Sequence, residues 1–312
     1  LKAQTSGHAL ADIRESMGQK CSSGCPAAAC CAEDEVNHVQ AGAWSQAVIP
    51  SNDNDDSGQD HGSYFTRHRA ELNMLPKKTP NTISQHTFKD GSTYHGQWSG
   101  NARHGYGVQK WKDGAKYEGE WKDNCACGKG RFTHADGDAY IGEWKDNVAN
   151  GFGVFTGQDA VIYQGSWLND LQEGKGVELH SEGTRYEGEF NKGAKNGRGV
   201  YRWPDGSYYS GSWSANMFNG YGEYKGKMGQ HYEGMWKDSN IAGLGMYTWA
   251  DGRSYCGQYA ANLKDGFGTF KGTDGNMHQG YFSQGRPHGA GQSVGANGLT
   301  KSATWIDGVQ QR

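Results

Sequence analysis

Along most of the chain, bulky aromatic and small residues alternate with polar ones in steps of two. Tyr recurs at Tyr94, Tyr117, Tyr140, Tyr163, Tyr186, Tyr209, Tyr232 and Tyr255, every 23 residues and without insertion, and His278 takes the next register position. Two residues after each of these stands a Gly, and four residues after stands an aromatic ring, from Trp98 and Trp121 through Phe282. A spacing of two places Tyr, Gly and ring on one face of a strand. A Gly-x-Gly pair follows, from Gly105/Gly107 to Gly289/Gly291, and opens a second strand that carries Phe132, Phe155, Tyr201, Tyr224, Tyr247 and Phe270. Loops such as residues 122–128 and 145–151 are expected to join the two strands of a unit. Asp-Gly steps at Asp90-Gly91, Asp113-Gly114, Asp136-Gly137, Asp205-Gly206, Asp251-Gly252 and Asp274-Gly275 read as type I′ turns between units.

The pattern predicts an all-β protein: an elongated single-layer stack of antiparallel β-hairpins, about nine 23-residue repeats, with an irregular N-terminal arm. A lone hairpin is marginal in water, and stacking is what buries the aromatic stripe. At ~4.8 Å per strand, nine two-stranded units make a ribbon on the order of 90 Å long that does not close.

Units such as Tyr117-Glu-Gly-Glu-Trp121-Lys-Asp-Asn, followed by Gly128-x-Gly130, resemble the MORN repeat (membrane occupation and recognition nexus). The resemblance covers about residues 83–308. It implies a non-catalytic scaffold or structural subunit that binds other proteins, at a membrane or within a large assembly. Similar arrays also serve as targeting modules of larger lipid kinases or lysine methyltransferases, and the family name points to a phospholipid-binding tether. These remain the alternatives.

The chain divides into a non-repeat arm (1–82), the repeat array (83–308) and a short tail (309–312). Phe88-Lys-Asp-Gly91 supplies half a unit ahead of the first Tyr, and the stretch through Trp305 to Gly308 reads as a half-unit cap. In the arm, residues 8–19 form an expected short helix with Leu10, Ile13 and Met17 on one face. Residues 51–62 read as a polar loop, and residues 65–75 as a second helix stopped by Pro76. An arm so poor in apolar residues is expected to order on a partner or on the ribbon.

Composition follows from the repeat. Four positions of the 23 hold Gly in almost every copy and account for most of the 50 glycines. So much Gly excludes a helical protein, and 11 Trp with 17 Tyr argue against a wholly disordered one. The net charge of −3 falls within residues 1–85, so the array is neutral and lacks the basic field of a nucleic-acid binder. The same neutrality weighs against electrostatic attachment to anionic lipid. Glu118, Glu120, Glu143, Glu187, Glu189 and Glu233 alternate with Lys116, Lys122, Lys145, Arg185 and Lys237. They read as cross-strand ion pairs on a solvated face, with a polar docking strip as the functional alternative.

Seven cysteines are present. Cys21, Cys25, Cys30 and Cys31 cluster in the arm, and their spacing leaves reduced thiols, a disulfide and a metal site open. Cys125-x-Cys127 reads as loop variation. No His-Glu-x-x-His run, Gly-x-Ser-x-Gly elbow or P-loop context is present, so no catalytic set can be named and no enzyme, cofactor or metal is expected. No small-molecule substrate is expected either.

The expected partners are other proteins, subunits of a larger assembly. Candidate contact residues are Leu10, Ile13, Met17, Trp44, Phe65 and Leu75 in the arm, and Tyr106, Ile141, Phe152, Tyr221, Met235 and Phe267 at variable positions of the array. A largely thiol-bearing chain fits the cytoplasm, peripheral to a membrane or cytoskeleton. The start at Leu1 rather than Met leaves a truncated sequence and an organellar protein with its targeting peptide removed both open.

Overall fold

The computed structural model describes residues 61–311. Two short helices, α1 (His61–Thr66) and α2 (Arg69–Met74), precede 21 strands of a single antiparallel sheet. Contacts among the described residues divide them into two compact units, 61–195 and 196–311.

The first unit holds both helices and the strands β1 (Lys78–Thr87), β2 (Thr93–Gly100), β3 (Ala102–Lys110), β4 (Lys116–Lys122), β5 (Cys125–Thr133), β6 (Ala139–Lys145), β7 (Val148–Thr156), β8 (Ile162–Leu168), β9 (Leu171–Leu179) and β10 (Arg185–Asn191). The division falls within β11 (Ala194–Arg202). The second unit continues with β12 (Tyr208–Ser214), β13 (Met217–Lys225), β14 (His231–Lys237), β15 (Asn240–Thr248) and β16 (Ser254–Ala260). It ends with β17 (Leu263–Lys271), β18 (Met277–Ser283), β19 (Arg286–Val294), β20 (Thr300–Ile306) and β21 (Val309–Gln310).

Each repeat is a hairpin whose Tyr, or His278 in the ninth, lies across a pair of facing glycines. Gly119 on β4 stands opposite Gly130 on β5. A Cβ added at Gly119 would lie 2.5 Å from the Gly130 Cα and 2.8 Å from the Tyr117 Oη. The absent side chains make the bed on which the ring rests, and the Tyr117 Oη donates to the Glu120 carbonyl at 3.0 Å. Burial raises the Tyr117 pKa far above its ordinary value, so the hydroxyl remains a donor. The Trp four residues on ties the repeat to the one before: Trp121 Nε1 donates to Gly107 O at 3.2 Å and Trp144 Nε1 to Gly130 O at 3.0 Å. The first Gly of each Gly-x-Gly pair has another task. It sits at a bulge with positive φ, 60° at Gly128, where the register slips between Gly119 and Glu120.

The turns are distributed differently from the sequence expectation. Asp123-Asn124 and Asp146-Asn147 have positive φ at both residues, so the two-residue turns of type I′ character join the strands within a repeat. Residues 125–128 belong to β5 rather than to a loop. Asp and Asn tolerate the left-handed region through local hydrogen bonding. At Asp113-Gly114 only Gly114 has positive φ. The Asp113 carboxylate accepts from Ala115 N at 3.1 Å, and Trp111 N donates to Ala115 O. These steps close wider turns between repeats.

The expected boundary at residue 82 lies inside β1, which pairs with β2 from Lys78 onward. At the other end Asp307-Gly308 turns the chain so that β21 pairs with β20, and this takes in part of the expected tail. The expected helix over 65–75 is two helices parted at Arg67–His68, and α1 begins at His61, inside the expected loop. The His68 ring is held on the Phe88 ring at 4.0 Å and on Asp90 at 2.9 Å, which fixes the break. The expected helix over 8–19 and the Cys21–Cys31 cluster lie outside the described residues.

Candidate functional site

The aromatic face of the first unit carries a bound segment of its own chain. Phe65, only 2 % exposed, is enclosed by five rings: Tyr117 at 5.2 Å, Trp111 at 5.6 Å, Trp121 and Trp144 at 5.7 Å, and Phe132 at 5.8 Å. Four of the contacts are edge-to-face, the arrangement that ring quadrupoles favour. Tyr64 beside it meets Trp111 at 5.1 Å and Phe132 at 5.5 Å. The residue facing Trp121 across the strands is Ala126, and its small side chain goes with the room that Phe65 fills.

Polar contacts fix the helix ends. The last carbonyls of a helix have no internal partner. Here Arg103 Nη2 donates to Phe65 O at 2.9 Å, and Trp111 Nε1 donates to Tyr64 O at 3.1 Å. Arg103 is fully buried. It also donates to Gln109 Oε1 at 3.1 Å and Asn124 O at 3.1 Å, and its guanidinium lies 4.1 Å from the centre of the Trp121 ring. Burial pushes its pKa down to about 9, so it remains a cation at neutral pH and complements the negative end of the helix. Arg67 pairs with Asp113 at 3.1 Å, and Glu71 binds His86 Nε2 at 3.2 Å and Lys89 N at 3.1 Å. Burial alone would raise the Asp90 carboxyl, but hydrogen bonds from His68 and Ser92 bring it down to about 2.

The expected contact residues separate into three groups. Phe65 is buried in the five-ring cage and Leu75 is half-buried after α2. Tyr106, Ile141, Phe152, Tyr221, Met235 and Phe267 are all exposed, on the face opposite the aromatic rings. Leu10, Ile13, Met17 and Trp44 lie outside the described residues. Sequence reasoning missed Arg103, Ala126 and the buried Gln172 and Lys195 of later repeats. They share one register position, nine residues after the Tyr, where the side chain faces the cage.

A family model described as MORN repeat matches nine consecutive segments: residues 94–116, 117–139, 140–159, 163–185, 186–208, 209–231, 232–252, 255–277 and 278–300. The chain belongs to the MORN-repeat family. No curated protein sequence matches it. Among solved structures it is remotely similar to the wild-type TCP10 domain of Danio rerio CPAP, with 11 % identity over 71 % of this chain and 100 % of that one, TM-score 0.35. It is similar at the same level to the G-box domain of the microcephaly protein CPAP, with 11 % identity over 65 % and 100 % of the two chains, TM-score 0.34. A third is the SAS-4 (dCPAP) TCP domain in complex with a proline-rich motif of Ana2 (dSTIL) of Drosophila melanogaster, with 12 % identity over 60 % and 99 %, TM-score 0.32.

One MORN repeat of the first unit replaces its second-strand ring by charge. Glu178 stands where Phe132 and Phe155 stand in earlier repeats, buried beside Lys195 Nζ at 2.5 Å and His180 Nε2 at 2.9 Å. Burial would raise its pKa, but the Lys195 charge and the two hydrogen bonds outweigh burial and hold it well below the usual carboxylate range. On the opposite face, Lys116–Glu118 at 2.6 Å and Arg185–Glu187 at 2.8 Å pair along one strand rather than across strands. Among the described residues, no three His, Cys, Asp or Glu side chains are placed to hold a metal, and no helix is long and apolar enough to cross a membrane. Cys125 and Cys127 are half-buried free thiols and Cys256 is an exposed one.

Proposed function

We propose that this MORN-repeat protein is a scaffold that binds segments of other proteins and carries no chemistry of its own. The observation that supports this reading most is the seat of α1. A short segment is recognised by one ring in a cage and by capture of its terminal carbonyls, which is how a repeat surface holds a peptide. The exposed Tyr106, Ile141, Phe152, Tyr221, Met235 and Phe267 lie on the opposite face, where they are open to partners.

The test is purification of the full chain from its native source under mild cross-linking, with mass spectrometry of co-purifying chains. Stoichiometric partners cross-linked to the array support the reading. A chain that purifies alone at every salt concentration, or that turns over a substrate, overturns it.

A further inference from the structure

Across β13, β14 and β15 the face opposite the rings carries two short rows. Tyr221 stands directly opposite Met235, and Met235 lies against Gly243, next to Leu244. In the adjoining row Glu223 stands opposite Glu233, which in turn stands opposite Met246. Tyr221, Met235, Leu244 and Met246 are exposed, so two carboxylates are flanked by a row of three apolar side chains on one side and by Met246 at one end of their own row.

In the first unit Glu120 stands opposite Tyr106 and Cys127 and Glu187 opposite Val177, and three further acids on this face have a basic residue opposite. Glu118 stands opposite Arg131, Glu143 opposite Lys129 and Glu189 opposite Lys175. Opposite charges so placed stabilise a sheet and like charges destabilise it. In the second unit Glu223 has Ser210 on one side and Glu233 on the other, with no Lys or Arg opposite either acid. Their bonding partners are hydroxyls and one imidazole: Tyr208 Oη and His231 Nε2 reach Glu223 at 3.0 Å, and Tyr221 Oη donates to Glu233. Lys225, two residues beyond Glu223 on the same face, stands opposite His231, and Glu223 bonds His231 and Tyr208; Lys237 lies opposite Asn240. Side chains of directly opposed residues start about 5 Å apart, so the two carboxylates bracket room for one cation.

We infer that this block docks a protein segment in which a Lys or Arg is flanked by aliphatic or aromatic residues. The cation enters between Glu223 and Glu233, and the flanking side chains cover Tyr221, Met235, Leu244 and Met246. The like-charge pair is a local cost in the free protein that a cationic partner turns into a gain. This inference rests on the proposed scaffold role and assigns it one surface and one partner chemistry.

The test selects a random dodecapeptide phage library on the immobilised full chain. Enriched peptides are expected to carry one Lys or Arg flanked by Leu, Met, Phe or Tyr. On a Glu223→Lys/Glu233→Lys chain, enrichment of these peptides should fall at least about tenfold, equivalent to 1.4 kcal/mol, and the selected central residue should switch to Asp or Glu. A Glu143→Gln chain should select as the parent does. Thermal melts of the variants check folding, and Glu233→Gln, which only removes the repulsion, serves if the double variant does not fold. The inference is overturned if the peptides carry no basic residue, if the variants select as the parent does, or if nothing enriches over bare support. It is equally overturned if a peptide of residues 1–60 displaces the selected peptides, or if the variants disperse a self-associated chain. If native partners exist but cross-link elsewhere, the scaffold role stands and this surface assignment fails.

Discussion

The two units solve the same packing problem with material from different places. In the first, the five rings Trp111, Tyr117, Trp121, Phe132 and Trp144 close on Phe65, which arrives on a helix outside the repeats. Four repeats later, Trp203, Tyr209, Trp213, Tyr224 and Trp236 hold the equivalent register positions. There Phe218 stands opposite Trp213, where the first unit has Ala126 opposite Trp121. Phe218 stacks on Tyr209 at 3.8 Å and meets Trp213 at 4.8 Å, Trp236 at 5.3 Å and Trp203 at 6.3 Å. The same register positions of the 23-residue repeat therefore build a ring cage in both units, and in both the occupant is a Phe. At Ala126 the room beside the small side chain is filled by a visiting ring, whereas Phe218 fills the equivalent place from within the repeat.

The largest expected effect breaks this comparison at its visitor. Phe65→Ala empties the cage and should cost about 3–5 kcal/mol, as for other buried aromatic truncations. The loss should appear in hydrogen exchange of β4, β5 and β6 and leave β12, β13 and β14 unchanged. Adding Ala126→Phe to Phe65→Ala should recover part of the loss by copying the second unit, whereas Ala126→Phe alone should overpack the site and loosen α1. If Ala126→Phe deepens the defect of Phe65→Ala, the two cages are not equivalent.

Phe218→Ala is the reciprocal cut. Its cost should again be about 3–5 kcal/mol, confined to β12 through β14. It should be the smaller of the two, because no helix with its own polar contacts is released with the ring. Denaturant melts of both variants, read beside exchange, rank them.

The repeat period and the placing of Tyr, Gly and ring on one strand face were legible in the sequence, because each is repeated in register. The cage was not legible. The ninth position reads Arg103, Ala126, Ala149, Gln172, Lys195, Phe218, Ile241, Lys264 and Pro287, which looks like loop variation until the strands are paired. Phe65 stood out as an apolar anchor of an arm expected to order on a partner or on the ribbon, and it is the ribbon that holds it. The turns were exchanged because Asp-Gly satisfies a pattern for type I′ turns, while Asp123-Asn124 satisfies the actual requirement of two residues with positive φ.

A third prediction concerns the repeat that replaced its ring with charge. The folded Glu178 carboxyl titrates below its ordinary range, so its contribution is complete above a pH of about 4.5 and is lost as the pH falls below it, on the order of 1–3 kcal/mol. Stability of the parent should decline from about pH 5 downward more steeply than that of Glu178→Gln, which is less stable at neutral pH but flatter in acid. Parallel acid slopes in denaturant melts would remove Glu178 as a source of the dependence.

The smallest effect should be the same in both units, and this sharpens what the cages add. Asn124 Oδ1 accepts from Arg103 N at 2.8 Å in the first unit, and Asn262 Oδ1 accepts from Ile241 N at 2.7 Å in the second. Each joins one repeat to the next from a turn residue with φ near 70°. Asn→Gly at either position keeps the backbone relaxed and removes this bond and a second one, from Arg103 Nε to Asn124 at 3.4 Å or from Asn262 to Asn240 Oδ1 at 2.6 Å, so it should cost about 1–2 kcal/mol. Asn→Ala removes the same bonds and adds left-handed strain, roughly 1–2 kcal/mol more. Gly193 and Gly285 occupy the same turn position in other repeats with φ of 82° and 83°, which is why Gly is the milder change. Equal losses at Asn124 and Asn262 in denaturant melts mean that the inter-repeat link is uniform. The difference between Phe65→Ala and Phe218→Ala then belongs to the origin of the ring. A larger loss at Asn124 instead assigns part of the helix seat to that turn, since Arg103 also reaches its carbonyl.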